Sequence, residues 1–161
     1  MSVLVFIETK GKISKAAREA VTYGSKIGPT TVITYGDADA ASLASVGDNG
    51  ATKVMVCRNL SEGNDQQLTK LIAAAADNCG ADVIIVSQDQ LGKAVAPRVA
   101  ASMEAGHVSG AIALPDTSNG FTVKTNVFSG KAFANVSVNS SKKIISLLPN
   151  SISPESTGGN A

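Results

Sequence analysis

The chain has 161 residues, 43% of them hydrophobic, which is the length of one domain and enough apolar material for one sizeable core. Its 14 basic and 13 acidic residues leave a formal charge of +1, so no excess field draws a phosphate backbone or an anionic lipid surface, and neither nucleic acid nor direct membrane insertion is expected. With 4% aromatic residues and no tryptophan there is no stacking platform for bases, and the core must be aliphatic.

In chain order, "SVLVFIE" from Ser2 is a run of aliphatic and β-branched residues, the pattern of a strand covered on both faces. The run is too short to span a bilayer and lacks the flanks of a signal peptide, so a cytoplasmic protein is expected. "ISKAAREAVTYGSKIGP" then places Ile13, Ala17, Val21, Gly24 and Ile27 on one helical face, with Lys15, Arg18, Glu19 and Lys26 pointing away and Gly28 and Pro29 as the stop. "TTVITYG" from Thr30 and "KVMVCR" from Lys53 are further buried strands, separated by the short small-residue helix of "DADAASLASVGDNGA". "GNDQQLTKLIAAAADNCG" is a stronger helix, with Asn64 or Asp65 as N-cap, a stripe of Leu68, Leu71, Ile72, Ala75 and Cys79, and Gly80 as stop. "ADVIIVSQ" from Ala81 is the fourth strand. The helix after it carries Val95, Val99, Met103 and Gly106 at helical spacing, and Pro97 places its start near Gly92 or Lys93, because deeper in a helix a proline loses a hydrogen bond and clashes with the preceding turn.

Strands alternating with helices imply right-handed crossovers and a doubly wound α/β domain, its mostly parallel sheet covered by helices on both faces. After Gly106 the helices stop. "HVSGAIALPD", "GFTVKTNVFSG", "KAFANVSVN" and "KKIISLLP" are short strand-like runs, which predict an antiparallel C-terminal section. Within it, "SGKAF" from Ser129 to Phe133 is a hairpin turn with Gly130 at positive φ, or a phosphate-friendly turn. The Ser, Gly, Asn and Pro-rich residues 151–161 read as a linker or frayed tail, leaving 1–150 as the domain.

Neither G-x-x-x-x-G-K-S/T nor G-x-G-x-x-G follows the first strand, and no G-x-S-x-G elbow occurs. Cys57 and Cys79 lack C-x-x-C spacing and no His or carboxylate completes a ligand set, so both read as reduced core or helix-end residues and no metal site is expected. His107, the single histidine, has Glu104 nearby but no nucleophile placed within reach; it reads as a structural or surface residue at a helix C-terminus, and no catalytic residue is assigned. Open parallel sheets bind ligands in the crevice outside their carboxyl ends. With the fourth strand beside the first, that crevice is lined by Glu8, Thr9 and Lys10 together with Ser87, Gln88 and Asp89. Thr9, Lys10, Ser87, Gln88, Gly92 and Lys93 are therefore the candidate pocket residues. Lys10, Lys93 and the helix N-terminus after Gly92 favour a phosphate there, while Glu8 and Asp89 oppose it. Gly11 and its flanking lysines form either a phosphate-facing turn or a solvated one.

The stretch from Ser87 through Gly92, Lys93, Val95, Ala96, Pro97, Arg98, Val99, Ala100, Ala101, Met103, Ala105 and Gly106 closely resembles the strand-turn-helix segment of the electron transfer flavoprotein alpha subunit. "GATKVMV" from Gly50, "FSGKAFA" from Phe128 and the closing "KKIISLLPNS" resemble further segments of the family in the same order, so the resemblance covers residues 2 to 152. Thr125 and Asn126 stand where the family often has Arg-Pro, Ala94 stands at its usual acid, and "SQDQ" replaces its small-residue turn. The resemblance implies an adenine nucleotide alpha hydrolase-like, Rossmann-like N-terminal domain, without the second domain that holds most FAD contacts. It also implies a heterodimer with a similarly folded beta subunit, whose FAD carries electrons from dehydrogenases, such as the acyl-CoA dehydrogenases of fatty acid β-oxidation, to a quinone oxidoreductase or another acceptor. No family FAD residue maps onto a position here, and this domain alone is expected to bind none. Two alternatives stand beside this one: an adenine-nucleotide-binding module near Thr9, Ser87 and Gly92, and a dimerisation domain using the antiparallel edge from Phe121 to Asn139.

Overall fold

The computed structural model describes residues 1–9 and 12–161. The β-branched runs form β1 (Val3–Phe6), β2 (Thr30–Tyr35), β3 (Ala51–Cys57) and β4 (Val83–Ser87), all parallel and in the spatial order β3-β2-β1-β4. The fourth strand thus lies beside the first, Val3 to Phe6 pairing with Val83 to Val86.

The C-terminal runs add β5 (Gly106–Ala111), β6 (Thr122–Val127), β7 (Ala132–Ser137) and β8 (Lys143–Leu147). The sheet has eight strands, and β8 does not close an outer meander: it enters between β4 and β5, parallel to both. Ile144, Ile145 and Leu147 are fully buried there, and a strand apolar on both faces belongs in the middle of a sheet. Only β5-β6-β7 is antiparallel.

One face of the sheet is covered by α1 (Lys15–Ser25) and a 3₁₀ turn (Ser45–Asn49) that follows the short α2 (Ala40–Ala44). α3 (Asp65–Cys79) and α4 (Gln90–Ser102) cover the other. Asn64 caps α3 in a reciprocal box with Gln67, and Gly80 ends the helix in the left-handed conformation. α4 begins earlier than Pro97 predicts: Asp89 caps it and Pro97 lies well inside. The cap sets the start, and Val95, Ala96 and Val99, packed on the sheet, offset the lost backbone bond.

Glu19 does not point away from the core. Its side chain is buried, with Oε2 accepting from Asn150 N–H at 2.9 Å and Lys15 Nζ 3.4 Å from Oε1. The cover is the C-terminal segment, which runs over α1 and the 3₁₀ turn. Glu155 N–H donates to Thr22 Oγ1, Asn49 Nδ2 donates to Glu155 O, and Thr157 N–H donates to Asp48 O. The Asp48 carboxylate accepts from Ser156 Oγ and Gly158 N–H, and Lys26 pairs with Glu155. At Gly47 a Cβ would lie 2.2 Å from the Ala161 nitrogen, so only glycine permits this approach.

Candidate functional site

At the carboxyl ends of β1 and β4 the structure opens a cleft of about 230 Å³. Glu8 enters it from the end of β1, Lys12 and Ser14 from the start of α1, Ser87 from the end of β4, and Asp89 and Gly92 from the start of α4. Gly92 is required by packing, since a Cβ there would lie 1.8 Å from the Ser87 carbonyl oxygen.

Both helix N-termini that flank the cleft are already capped. Asp89 Oδ1 accepts from Gly92 N–H at 2.8 Å, and Ser14 Oγ accepts from Ala17 N–H at 3.1 Å. A helix start binds an anion through its free N–H groups and positive dipole end. At α4 a carboxylate of the chain itself holds that place. Glu8 adds a second carboxyl, whose Oε1 accepts from Tyr35 OH at 3.0 Å; burial, then Glu8, pushes the Tyr35 phenol up to about 12. Ser87 Oγ is buried and has no hydrogen-bond partner among the described residues.

Of the candidate residues, Ser87 and Gly92 line the cleft and the others placed by the structure do not. Thr9 turns toward β2, its hydroxyl 3.0 Å from Thr34 Oγ1 and bonded to Tyr35 O. Gln88 donates its N–H to Leu147 O, and its side-chain oxygen lies beside the bulged Gly110 of β5. Lys93 is exposed on α4, outside the cleft lining. Lys10 and Gly11 lie outside the described residues. Lys12 and Ser14 were not anticipated as lining residues, although Ser14 carries the ordinary signal of a serine before a helix.

His107 lies in β5 rather than at a helix end, with Nε2 2.8 Å from Ser146 Oγ; burial lowers its pKa below the ordinary histidine value. Gly130 takes the predicted positive φ at the β6–β7 turn, joined by Phe128 and Ser129. Among the described residues no cluster of three or more His, Cys, Asp or Glu side chains is arranged to hold a metal ion, and no helix is long and apolar enough to cross a membrane.

The family model of the electron transfer flavoprotein domain matches residues 3–161, the whole sheet and both of its helical faces. The chain belongs to this family. Among curated proteins the comparison finds no matching relative. An electron transfer flavoprotein domain has an electron-transfer role, and the family's name implies a flavin. The donor set of the described cleft does not suit the diphosphate of FAD, which would meet Asp89 and Glu8 where it needs donors, with Lys12 the one cation among the described lining residues.

Proposed function

We propose that the chain is the non-catalytic base domain of an electron transfer flavoprotein alpha subunit, acting in the cytoplasm. It pairs with a similarly folded beta subunit, and the assembly carries electrons through FAD from dehydrogenases, such as acyl-CoA dehydrogenases, to a quinone oxidoreductase or comparable acceptor. The family match over residues 3–161 carries this reading. The capped helix ends and the two carboxyls lining the cleft, Glu8 and Asp89, support a scaffold role for the domain, with the flavin held elsewhere in the assembly. The test is to purify the chain alone and together with a beta subunit from the same genome. A colourless chain that forms a stoichiometric complex is expected; flavin bound stoichiometrically to the chain alone overturns the reading.

A nucleotide at the same cleft is the reading favoured by Lys12 and by the unpartnered Ser87 hydroxyl. Titration calorimetry with AMP and ATP decides it, and the two carboxyls predict no heat at millimolar ligand.

A further inference from the structure

The dipeptide Asn-Gly occurs twice, at Asn49–Gly50 and at Asn119–Gly120. It is the asparagine context most prone to spontaneous loss of the side-chain amide, because the backbone nitrogen that follows closes on the side chain without a Cβ in its way. The fold gives the two copies opposite surroundings. Asn49 is 4% exposed, at the end of the 3₁₀ turn. Its Oδ1 accepts from Arg18 Nη1 at 3.1 Å and its Nδ2 donates to Glu155 O at 3.0 Å, so both ends of the amide are held. The backbone nitrogen beside it is held too, Gly50 N–H donating to Gly47 O at 2.9 Å.

Asn119 lies in the connection from β5 to β6, in a short loop closed by two backbone hydrogen bonds between Asp116 and Thr122. Inside the loop, Asp116 Oδ1 accepts from the N–H and the hydroxyl of Ser118. Asn119 and Gly120 are both exposed, and neither the Asn119 amide nor the Gly120 N–H has a hydrogen-bond partner among the described residues. Gly120 takes φ +100°, and a Cβ built on it would meet nothing within 4 Å. It shares a shallow hollow with Met1 and Lys143, at the amino ends of β1 and β8, so the loop stands at the opposite end of the sheet from the cleft.

We propose that Asn119 is a site of spontaneous deamidation in the folded protein. The Gly120 nitrogen loses its proton to solvent base and attacks Asn119 Cγ. The new C–N bond closes a succinimide ring, and the side-chain nitrogen leaves as ammonia. Water then opens the ring at either carbonyl: one opening leaves aspartate at position 119, the other isoaspartate, with the main chain rerouted through the side-chain carbon. The net change is one water taken up and one ammonia released, with no oxidant, reductant or enzyme. Either product adds one negative charge, which takes the formal charge of the chain from +1 to zero. The inference stands on this loop and is independent of the scaffold reading.

Incubation of the intact chain in warm, mildly alkaline buffer, followed by tryptic peptide mapping, tests it. Asn119 is the one asparagine of the peptide 99–124 and Asn49 the one asparagine of the peptide 27–53, and neither peptide contains glutamine, so each mass shift has a single origin. In the folded protein Asn119 is expected to convert about tenfold faster than Asn49 or more, since Asn49 reacts only through local opening. Isoaspartate should appear alongside aspartate, because direct hydrolysis of the side chain gives aspartate alone. In urea, where both turns are lost, the two peptides should convert at similar rates. Asn119→Gln has a longer side chain that closes the ring far more slowly; it should suppress the acidic form that ion exchange resolves from the incubated protein, with the circular dichroism unchanged. The proposal is overturned if Asn119 stays intact in the folded chain over the time that converts it in urea, if its product is aspartate alone, or if Asn49 converts as fast as Asn119 before unfolding.

Discussion

The two faces of the sheet are sealed by different physics. On the α3–α4 face, Leu68, Ile72, Val95 and Val99 have no exposed surface and pack on Leu4, Ile84 and Ile144. On the α1 face an apolar layer of Ala17, Ala20, Val21 and Tyr23 is overlaid by a polar strap, residues 150–161, whose contacts centre on the carboxylates of Glu19 and Asp48. Area removed from water holds the first face; a few directed hydrogen bonds hold the outer layer of the second. The α3–α4 face should therefore respond to lost volume, and the strap to lost charge or to an added Cβ.

The largest effect is expected from Ile72→Ala. Truncating a fully buried isoleucine removes its transfer free energy and leaves a cavity, together about 2–5 kcal/mol at a side chain with no exposed surface. Urea denaturation should show a lower midpoint, with the strap hydrogen bonds intact by amide exchange at temperatures below the transition. A loss below about 1 kcal/mol would mean that α3 moves in to fill the space.

Gly92→Ala follows, and its sign is diagnostic. In an exposed helix interior, glycine to alanine stabilises by about 1 kcal/mol. Here the new Cβ would lie 1.8 Å from the Ser87 carbonyl oxygen, backbone against backbone, so α4 must shift away from β4. The variant should lose about 1–3 kcal/mol, the usual cost of overpacking. A stabilised variant would show that the cleft wall is soft.

Much of this arrangement is legible in the sequence, because the relevant signals are local. Runs such as "VLVF" and "VIIVS" mark buried strands, Asn64 and Gly80 mark the ends of α3, and strand–helix alternation implies the parallel, doubly wound sheet. The insertion of β8 between β4 and β5 is not legible, since a short apolar run does not encode its neighbours. Glu19 fails for a related reason: helical spacing marks it as outward, and the group that covers it, Asn150, lies 131 residues away. In the cleft, Ser87 and Gly92 are found because they flank the strand-to-helix handover. Gln88 is misplaced because its side chain follows the bulge at Gly110, which no local pattern announces.

On the strap side, Gly47→Val is expected to release residues 155–161 with little change in global stability, because its Cβ would meet the backbone of Asn160 and Ala161. Hydrogen exchange should show Thr157 and Gly158 unprotected while α3 amides keep their wild-type rates. Acid should do the same more gradually. The Ser156 hydroxyl, and then Gly158 N–H, hold the Asp48 carboxyl below the usual carboxylate range. A depressed pKa contributes stability that is present above the unfolded value, about 3.9 for aspartate, and lost as pH falls through the folded one. The strap amides should therefore lose protection below about pH 4, and Asp48→Asn should remove that pH dependence.

The smallest effect belongs to the one histidine, on β5 beside Ser146 of β8. Burial lowers the His107 pKa, and its Nε2 meets Ser146 Oγ at 2.8 Å, so the folded state favours the neutral ring. The unfolded chain binds the proton more readily, so the contribution of His107 is fully present above about pH 6.5 and is lost as pH falls through its folded value. Denaturation midpoints measured from pH 7 to pH 5 should decline in the wild type and decline less in His107→Gln, which keeps a side chain able to hydrogen-bond the serine. Equal slopes in the two proteins would mean that carboxyl groups account for the whole decline, and that the β5–β8 junction tolerates a charged imidazole.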